Sequence, residues 1–415
     1  MYKLNAIDKV LQISTTAGIL YAVNILYSFD AIGILAAYQV AATWIYALSF
    51  NNQDGQFYIW FSNHHKQIWP YILKIKTIGV TIGTLIVYIY LKFYFLIFND
   101  ELLIFIFVPL ILRTYNLKDS VARSGNYRGY YIKLILLLKF FYLFIISLSI
   151  YYHSKNLLII TACFIPILEI IITEYFGNKK NIINISKKII DRKKIVSVYF
   201  QSTGSQAISL LFIGGDVMVA SGILSLSDLS MYTLIRQISF LPHFLGSVNL
   251  LKMIELYSKK YKNVELHAFI SCFIISGVIS VVLMCIFTMW FIYYDLKLSF
   301  YISSIVLSIV VIPAFISQIN NQILINMNLQ KYEFYKTTIS GLIFLGMIYI
   351  VYYVDYLYKP FLLSLSIILP FIFSNVVFFY LLKNKLSNFY YISDSISFIV
   401  RKPRMAFRYA IIWIK

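Results

Sequence analysis

Thr233, Arg236, Ser239, His243 and Ser247 recur at steps of three and four, so a helix drawn through them carries one polar stripe. Arg236 is its charged member, with Gln237 beside it and Pro242 after it. A guanidinium offers five donors in a planar fork and keeps its charge, which suits an oxyanion such as phosphate. Pro242 interrupts the backbone ladder and frees a carbonyl near the same face. Asp216 ends the apolar run before this helix, where it either anchors a helix end or lines an outward cavity. The competing reading of Arg236 is a side chain that snorkels to the surface and pairs with Asp228. Arg113 follows an apolar run of eleven residues, Leu102–Leu112, and Glu169 and Glu174 lie five apart in another run. Glu169 is a candidate cation or proton site, or a partner for Arg113 or Lys139. Lys139 is close enough to a boundary to snorkel. Gln201, Ser205 and Ser209 follow at steps of four, with amides and hydroxyls suited to sugar hydroxyls or to gluing helices together.

These polar groups interrupt a very apolar chain. The 415 residues are 60% hydrophobic and 13% charged, with a mean hydropathy of +0.77. A water-soluble surface cannot be built from that composition. Several runs approach the 20 or so residues that cross the hydrocarbon of a bilayer. The expected class is an all-α, polytopic membrane protein. The first run lacks a small-residue cleavage site and carries Gln12, Thr15 and Thr16, so it reads as a retained helix. Twelve spans are expected, over 8–27, 31–50, 72–97, 102–121, 132–152, 157–176, 195–220, 229–248, 267–293, 299–321, 337–354 and 361–382. The fourth must take in Arg113, Thr114 and Asn116 to reach across.

Connections then alternate between two sides. Of 36 basic residues, 29 fall on the side of both termini or the adjoining helix ends, four (Lys92, Lys155, Lys297, Lys359) on the other, and three inside spans. The side rich in Lys and Arg is the cytoplasmic one, so both termini are expected there. This asymmetry accounts for the net charge of +19 without nucleic acid. The segment 177–194 holds seven Lys/Arg and separates a first lobe, 1–176, from a second, 195–382. The tail, 383–415, mixes Arg401, Lys402, Arg404 and Arg408 with aromatic and aliphatic residues and is expected to lie on the anionic inner leaflet. Residues 29–42 align with 227–240 at a constant offset, Asp30 against Asp228 and Gln39 against Gln237. Six spans per half give both halves one orientation, a parallel repeat about an axis along the membrane normal.

Enzyme chemistry finds no support. Cys163, Cys272 and Cys285 sit in apolar runs with no metal spacing and read as small filler. His64 and His65 fall in a basic connection. No phosphate-cradling glycine loop and no paired ligand spacing occurs, so neither cofactor nor metal is expected.

The pattern resembles the polysaccharide transporter family, the Wzx-type O-antigen and capsule flippases, within the superfamily that includes MATE exporters and lipid II flippases. The residues that carry the resemblance are Asp216-Val-Met-Val at the end of span seven, Gly222, and Leu229–Ile238 with Tyr232 and the Arg236-Gln237 pair. Met231 and Ile235 stand where that family has Gly and Ala. The resemblance implies a MATE-like fold of two six-helix lobes around a central cavity, working by alternating access in a bacterial cytoplasmic membrane. It implies an undecaprenyl-diphosphate-linked oligosaccharide as substrate, with other polysaccharide assembly proteins as partners. Arg236 and Arg113 would then face the diphosphate, and Asp216, Gln201, Gln237 and His243 the rest of the polar passage. Three alternatives are a cation-coupled multidrug exporter of the same fold, for which Glu169 is the candidate carboxylate, an O-antigen polymerase, and a non-transporting membrane scaffold. The short outer turns oppose the polymerase, which needs a long outer loop.

Overall fold

The computed structural model describes residues 2–49, 73–92, 99–116, 122, 127–178, 208–209, 214–240, 242, 264–294, 296–326, 330–382 and 391–414. They are almost entirely helical. The helices are α1 (Tyr2–Leu26), α2 (Asp30–Leu48), α3 (Leu73–Lys92), α4 (Asp100–Thr114), α5 (Arg128–Tyr151), α6 (Lys155–Asn178), α7 (Gly215–Ile223) and α8 (226–240). They continue with α9 (Val264–Tyr294), α10 (Leu298–Asn326), α11 (Gln330–Tyr353), α12 (Lys359–Leu382), α13 (Tyr391–Arg401) and α14 (Pro403–Ile414). Among the described residues eight helices are long and apolar enough to cross a membrane, α2, α3, α5, α6 and α9 to α12. Helices α1 and α4 occupy two more of the expected places with shorter apolar stretches. Spans seven and eight are described in part. Helix α4 ends at Thr114 instead of running on through Asn116, and it starts at Asp100, where Asn99 caps it by accepting the Leu102 amide at 3.1 Å.

Large apolar side chains remain on the outside of these helices. Leu137, Phe140 and Phe144 of α5, Val281, Met289 and Ile292 of α9, and Leu342 and Leu345 of α11 are exposed. In water such a surface would aggregate, whereas in lipid it is the contact surface. Three helix ends carry exposed tyrosine pairs, Tyr151–Tyr152, Tyr293–Tyr294 and Tyr352–Tyr353. Helices α9 and α11, joined through α10, run in the same sense, so their pairs mark one membrane–water boundary, where amphipathic rings concentrate.

The chain divides into two compact units, 1–210 with 224–230, and 211–223 with 231–415. In the first, α1 packs on α5, α2 on α4, and α6 on both α4 and α5. In the second, α10 packs on α9 and α12, α12 on α11, and α7 on α11 and α12. The pairings α4–α6 and α5–α6 of the first unit thus recur as α10–α12 and α11–α12 of the second. The helix-bending prolines recur too: Pro313 in α10 lies 204 residues after Pro109 in α4, and Pro370 in α12 lies 204 residues after Pro166 in α6. The aligned segments of the repeat meet at their helix starts. Ser230 Oγ accepts the Gly33 amide at 2.9 Å and donates to the Asp30 carbonyl at 3.1 Å. A Cβ at Gly33 would lie 2.8 Å from that hydroxyl, so the close approach needs glycine.

Helix α3 lies against the end of α2 through Gly79 and Gly83, four residues apart. A Cβ on Gly79 would come 2.2 Å from the Leu48 carbonyl oxygen, and one on Gly83 2.8 Å from the Ile45 Cα. Lipid supplies no hydrophobic drive between helices, so small residues that let backbones touch carry this packing. Gly79→Ala is therefore expected to lower stability by about 2–3 kcal/mol through forced separation of the helices. Gly129→Ala, which meets nothing within 4 Å, is the matched control. Melting of the detergent-solubilised protein checks this, and equal melting of both variants contradicts it.

Candidate functional site

Asp216 stands in the first turn of α7, and Tyr232 and Arg236 stand one helical turn apart on α8. Arg236 Nε donates to Asp216 Oδ2 at 2.6 Å, and the Tyr232 hydroxyl donates to the same oxygen at 2.9 Å. The Arg236 guanidinium lies 5.0 Å from the ring centre of Phe240, a further turn along. The Asp216 side chain has no exposed surface and that of Arg236 is 11% exposed. In so dry a place either charge alone costs several kcal/mol, and only a closely bonded partner offsets that. The start of α7 adds the positive end of a helix dipole beside the carboxylate, and Phe240 adds a cation–π contact to the guanidinium.

The polar stripe on α8 continues with Thr233 and Ser239, both buried. Neither hydroxyl, nor Asp216 Oδ1, has a hydrogen bond among the described residues. Gln237 is half-buried on the neighbouring face. His243, Ser247 and Gln201 lie outside the described residues. Arg236 therefore does not present a bare guanidinium: its Nε is committed to a carboxylate, and that carboxylate is Asp216 and not Asp228.

The first unit holds two more acid–base pairs. Arg113, in the last turn of α4, places Nε 3.3 Å from Glu169 Oε2 on α6, with the arginine 50% and the glutamate 13% exposed. Lys139 of α5 bonds Asp8 of α1 at 2.5 Å. Two buried lysines escaped the sequence reading, which counted Lys76 with the cytoplasmic helix end of span three and Lys336 with a basic connection. Lys76 of α3 donates to the Thr114 carbonyl at 2.9 Å, a cation closing the negative end of α4. Lys336 of α11 is 3% exposed and donates to Asn321 and, at 3.5 Å, to Ser317, both on α10. Next to it, Asn320 donates to Asn375 at 2.9 Å and Asn375 to the Pro313 carbonyl at 2.9 Å. Hydropathy starts span eleven at 337, whereas the helix begins at Gln330, which carries Lys336 inside. Among the described residues no group of three or more His, Cys, Asp or Glu is placed to hold a metal ion.

Removing one partner of the Asp216–Arg236 pair strands the other. Arg236→Gln and Asp216→Asn are each expected to cost about 3–5 kcal/mol, and the double variant far less than their sum. Melting temperatures around this cycle measure the coupling. Additive losses would contradict a bonded pair.

No protein-family model and no curated protein sequence matches the chain. Solved structures do. The chain is similar to a multidrug resistance MATE family transporter of the MOP superfamily in an inward-facing conformation, with TM-score 0.52 and 12% identity over 93% of this chain and 96% of that one. It is similar to a crystal structure of MATE in complex with MaL6, with TM-score 0.51 and 12% identity over 92% of this chain and 95% of that one. At that identity the likeness concerns the fold, and it runs the length of both chains. The protein is an all-helical, multi-pass membrane protein with the two-lobed fold of the MATE family transporters.

Proposed function

We propose that the chain is a transporter that moves an anionic, lipid-linked oligosaccharide across a bacterial cytoplasmic membrane, with both termini in the cytoplasm. Its substrate on this reading is the undecaprenyl-diphosphate-linked repeat unit of a surface polysaccharide. The observation that carries the reading is the charge balance of the helices. Asp8, Glu169 and Asp216 each have a lysine or arginine against them, while the buried Lys336 hydrogen-bonds the neutral Asn321 and Ser317, with the Glu333 charge one turn before it on α11. With a cation already against each of these three carboxylates, they have less to offer an organic cation, and the balance favours an anion. Arg113, half exposed on Glu169, and Arg236 on Asp216 are held in place by carboxylates that mimic a phosphate. An arriving phosphate can take up the remaining N–H donors of the half-exposed Arg113 by charge-assisted bonds. The Asn320, Asn321 and Asn375 amides and the hydroxyls of Ser317, Thr233 and Ser239 supply the neutral hydrogen-bonding chemistry that sugars need. The fold similarity supports a transport task, and the 29-to-four division of the cations supports the orientation.

A second reading, a cation-coupled drug exporter, is favoured by the stated resistance role of one structural neighbour and by the two mostly buried carboxylates of the first unit, Asp8 and Glu169. On that reading protonation or a metal cation would break a carboxylate–cation pair to drive transport.

Deletion of the gene separates the two. The expected phenotype is loss of surface glycan with build-up of the lipid-linked precursor, restored by the intact chain. Arg113→Ala should restore less than about a tenth of it at normal membrane level, since a half-exposed pair contributes little to folding. Arg236→Lys, which keeps a cation on Asp216 but loses the planar fork, should restore an intermediate amount. Normal surface glycan in the deletion strain, with drug efflux that vanishes in Glu169→Gln, would favour the exporter.

A further inference from the structure

Nothing in the transport reading uses the last two helices. Both α13 and α14 pack on α9, with Ser395 and Ala406 fully buried. At 3.6 residues per turn, Arg404 and Arg408 fall one turn apart on the face of α14 opposite Ala406, with Met405 and Phe407 at their flanks. Val400, Arg401 and Lys402 extend that surface across the junction, and all seven side chains are exposed. Among the described residues none of the four cationic side chains makes an ion pair. Residues 391–415 contain five Lys/Arg and one acidic residue, Asp394. The face turned away from α9 is thus cationic and apolar at once. Water suits the cations and not Val400, Met405 and Phe407. A buried protein interface suits the apolar groups and leaves like charges crowded. The boundary of an anionic membrane satisfies both, with phosphates against the cations and acyl chains against the flanking side chains.

We propose that the α13–α14 pair is a binding element for acidic phospholipid headgroups in the cytoplasmic leaflet, attached to the second unit through α9. Arg404 and Arg408 take the phosphates, Arg401 and Lys402 add to the attraction, and Val400, Met405 and Phe407 enter the acyl boundary. This element is independent of what the protein transports.

The test uses the full chain in detergent, titrated with phosphatidylglycerol or phosphatidylcholine while melting is followed. Phosphatidylglycerol is expected to raise the melting temperature, and phosphatidylcholine to leave it unchanged. In Arg404→Gln/Arg408→Gln the half-saturating concentration of phosphatidylglycerol should rise roughly thirtyfold, the equivalent of about 1 kcal/mol for each of two basic residues at a membrane surface. The lipid-free melting temperature should stay within a degree or two, because both side chains are exposed. An unchanged phosphatidylglycerol response in that variant would overturn the proposal. A second measurement does not depend on the variant's folding. An environment-sensitive fluorophore on Val400→Cys, with the three native cysteines replaced, is expected to be quenched by brominated acyl chains in reconstituted membranes. Quenching by iodide alone would place this face in the cytosol, overturn the proposal and point to an acidic soluble protein as partner.

Discussion

A charge inside a bilayer must be closed by something within reach, and that rule governs how this chain uses its polar residues. Three acids in the described helices are each met by a base from a different helix: Asp8 by Lys139, Glu169 by Arg113, Asp216 by Arg236. Each pair therefore ties two helices that lipid alone would leave loosely associated, α1 to α5, α4 to α6 and α7 to α8. Two buried lysines also draw on the dipoles near them, the carbonyl end of α4 for Lys76 and the Asn321 amide for Lys336. On the proposed reading, specificity for an anion would follow from the same constraint. Positive groups preorganised by internal mimics of phosphate have already met their desolvation cost before a ligand arrives.

Duplication makes this economical. The same helix pairings and the same spacing of prolines serve both units, so one solution to packing is used twice. The units nonetheless carry different polar chemistry. Among the described residues the first shows two acid–base pairs, and the second one such pair with a network of amides and hydroxyls. Proline carbonyls join that network directly, Pro313 accepting from Asn375 and Pro370 from the Ser340 hydroxyl at 3.1 Å. A bent helix exposes carbonyls to side-chain donors, so bending and polar satisfaction go together.

The class of fold was legible because lipid imposes a blunt code. Apolar runs of spanning length, separated by connections that alternate in basic charge, name the solvent, the order of the helices and the repeat. Pairing was less legible. Twenty residues separate Asp216 from Arg236, and helical periodicity shows only which face each occupies, so Asp228, nearer in sequence, competed on paper. Glu169 had two possible bases, Arg113 and Lys139, and only the packing of α4 on α6 and of α1 on α5 decides between them. Lys336 was missed because hydropathy marks where a helix becomes apolar and not where it begins. The Gly79–Gly83 contact was readable from its four-residue spacing within an apolar run, a signal that the search for charged chemistry passed over.

The account is tested most directly by reconstituting the purified chain in liposomes with a fluorescent, lipid-diphosphate-linked oligosaccharide in one leaflet. Its transfer to the other leaflet is followed by access to an added glycosidase. Transfer that needs the protein, that falls at least tenfold when Arg113 is replaced by alanine, and that is inhibited by pyrophosphate is the predicted result. Absence of transfer, in vesicles that carry an organic cation across by the same protein, would contradict it.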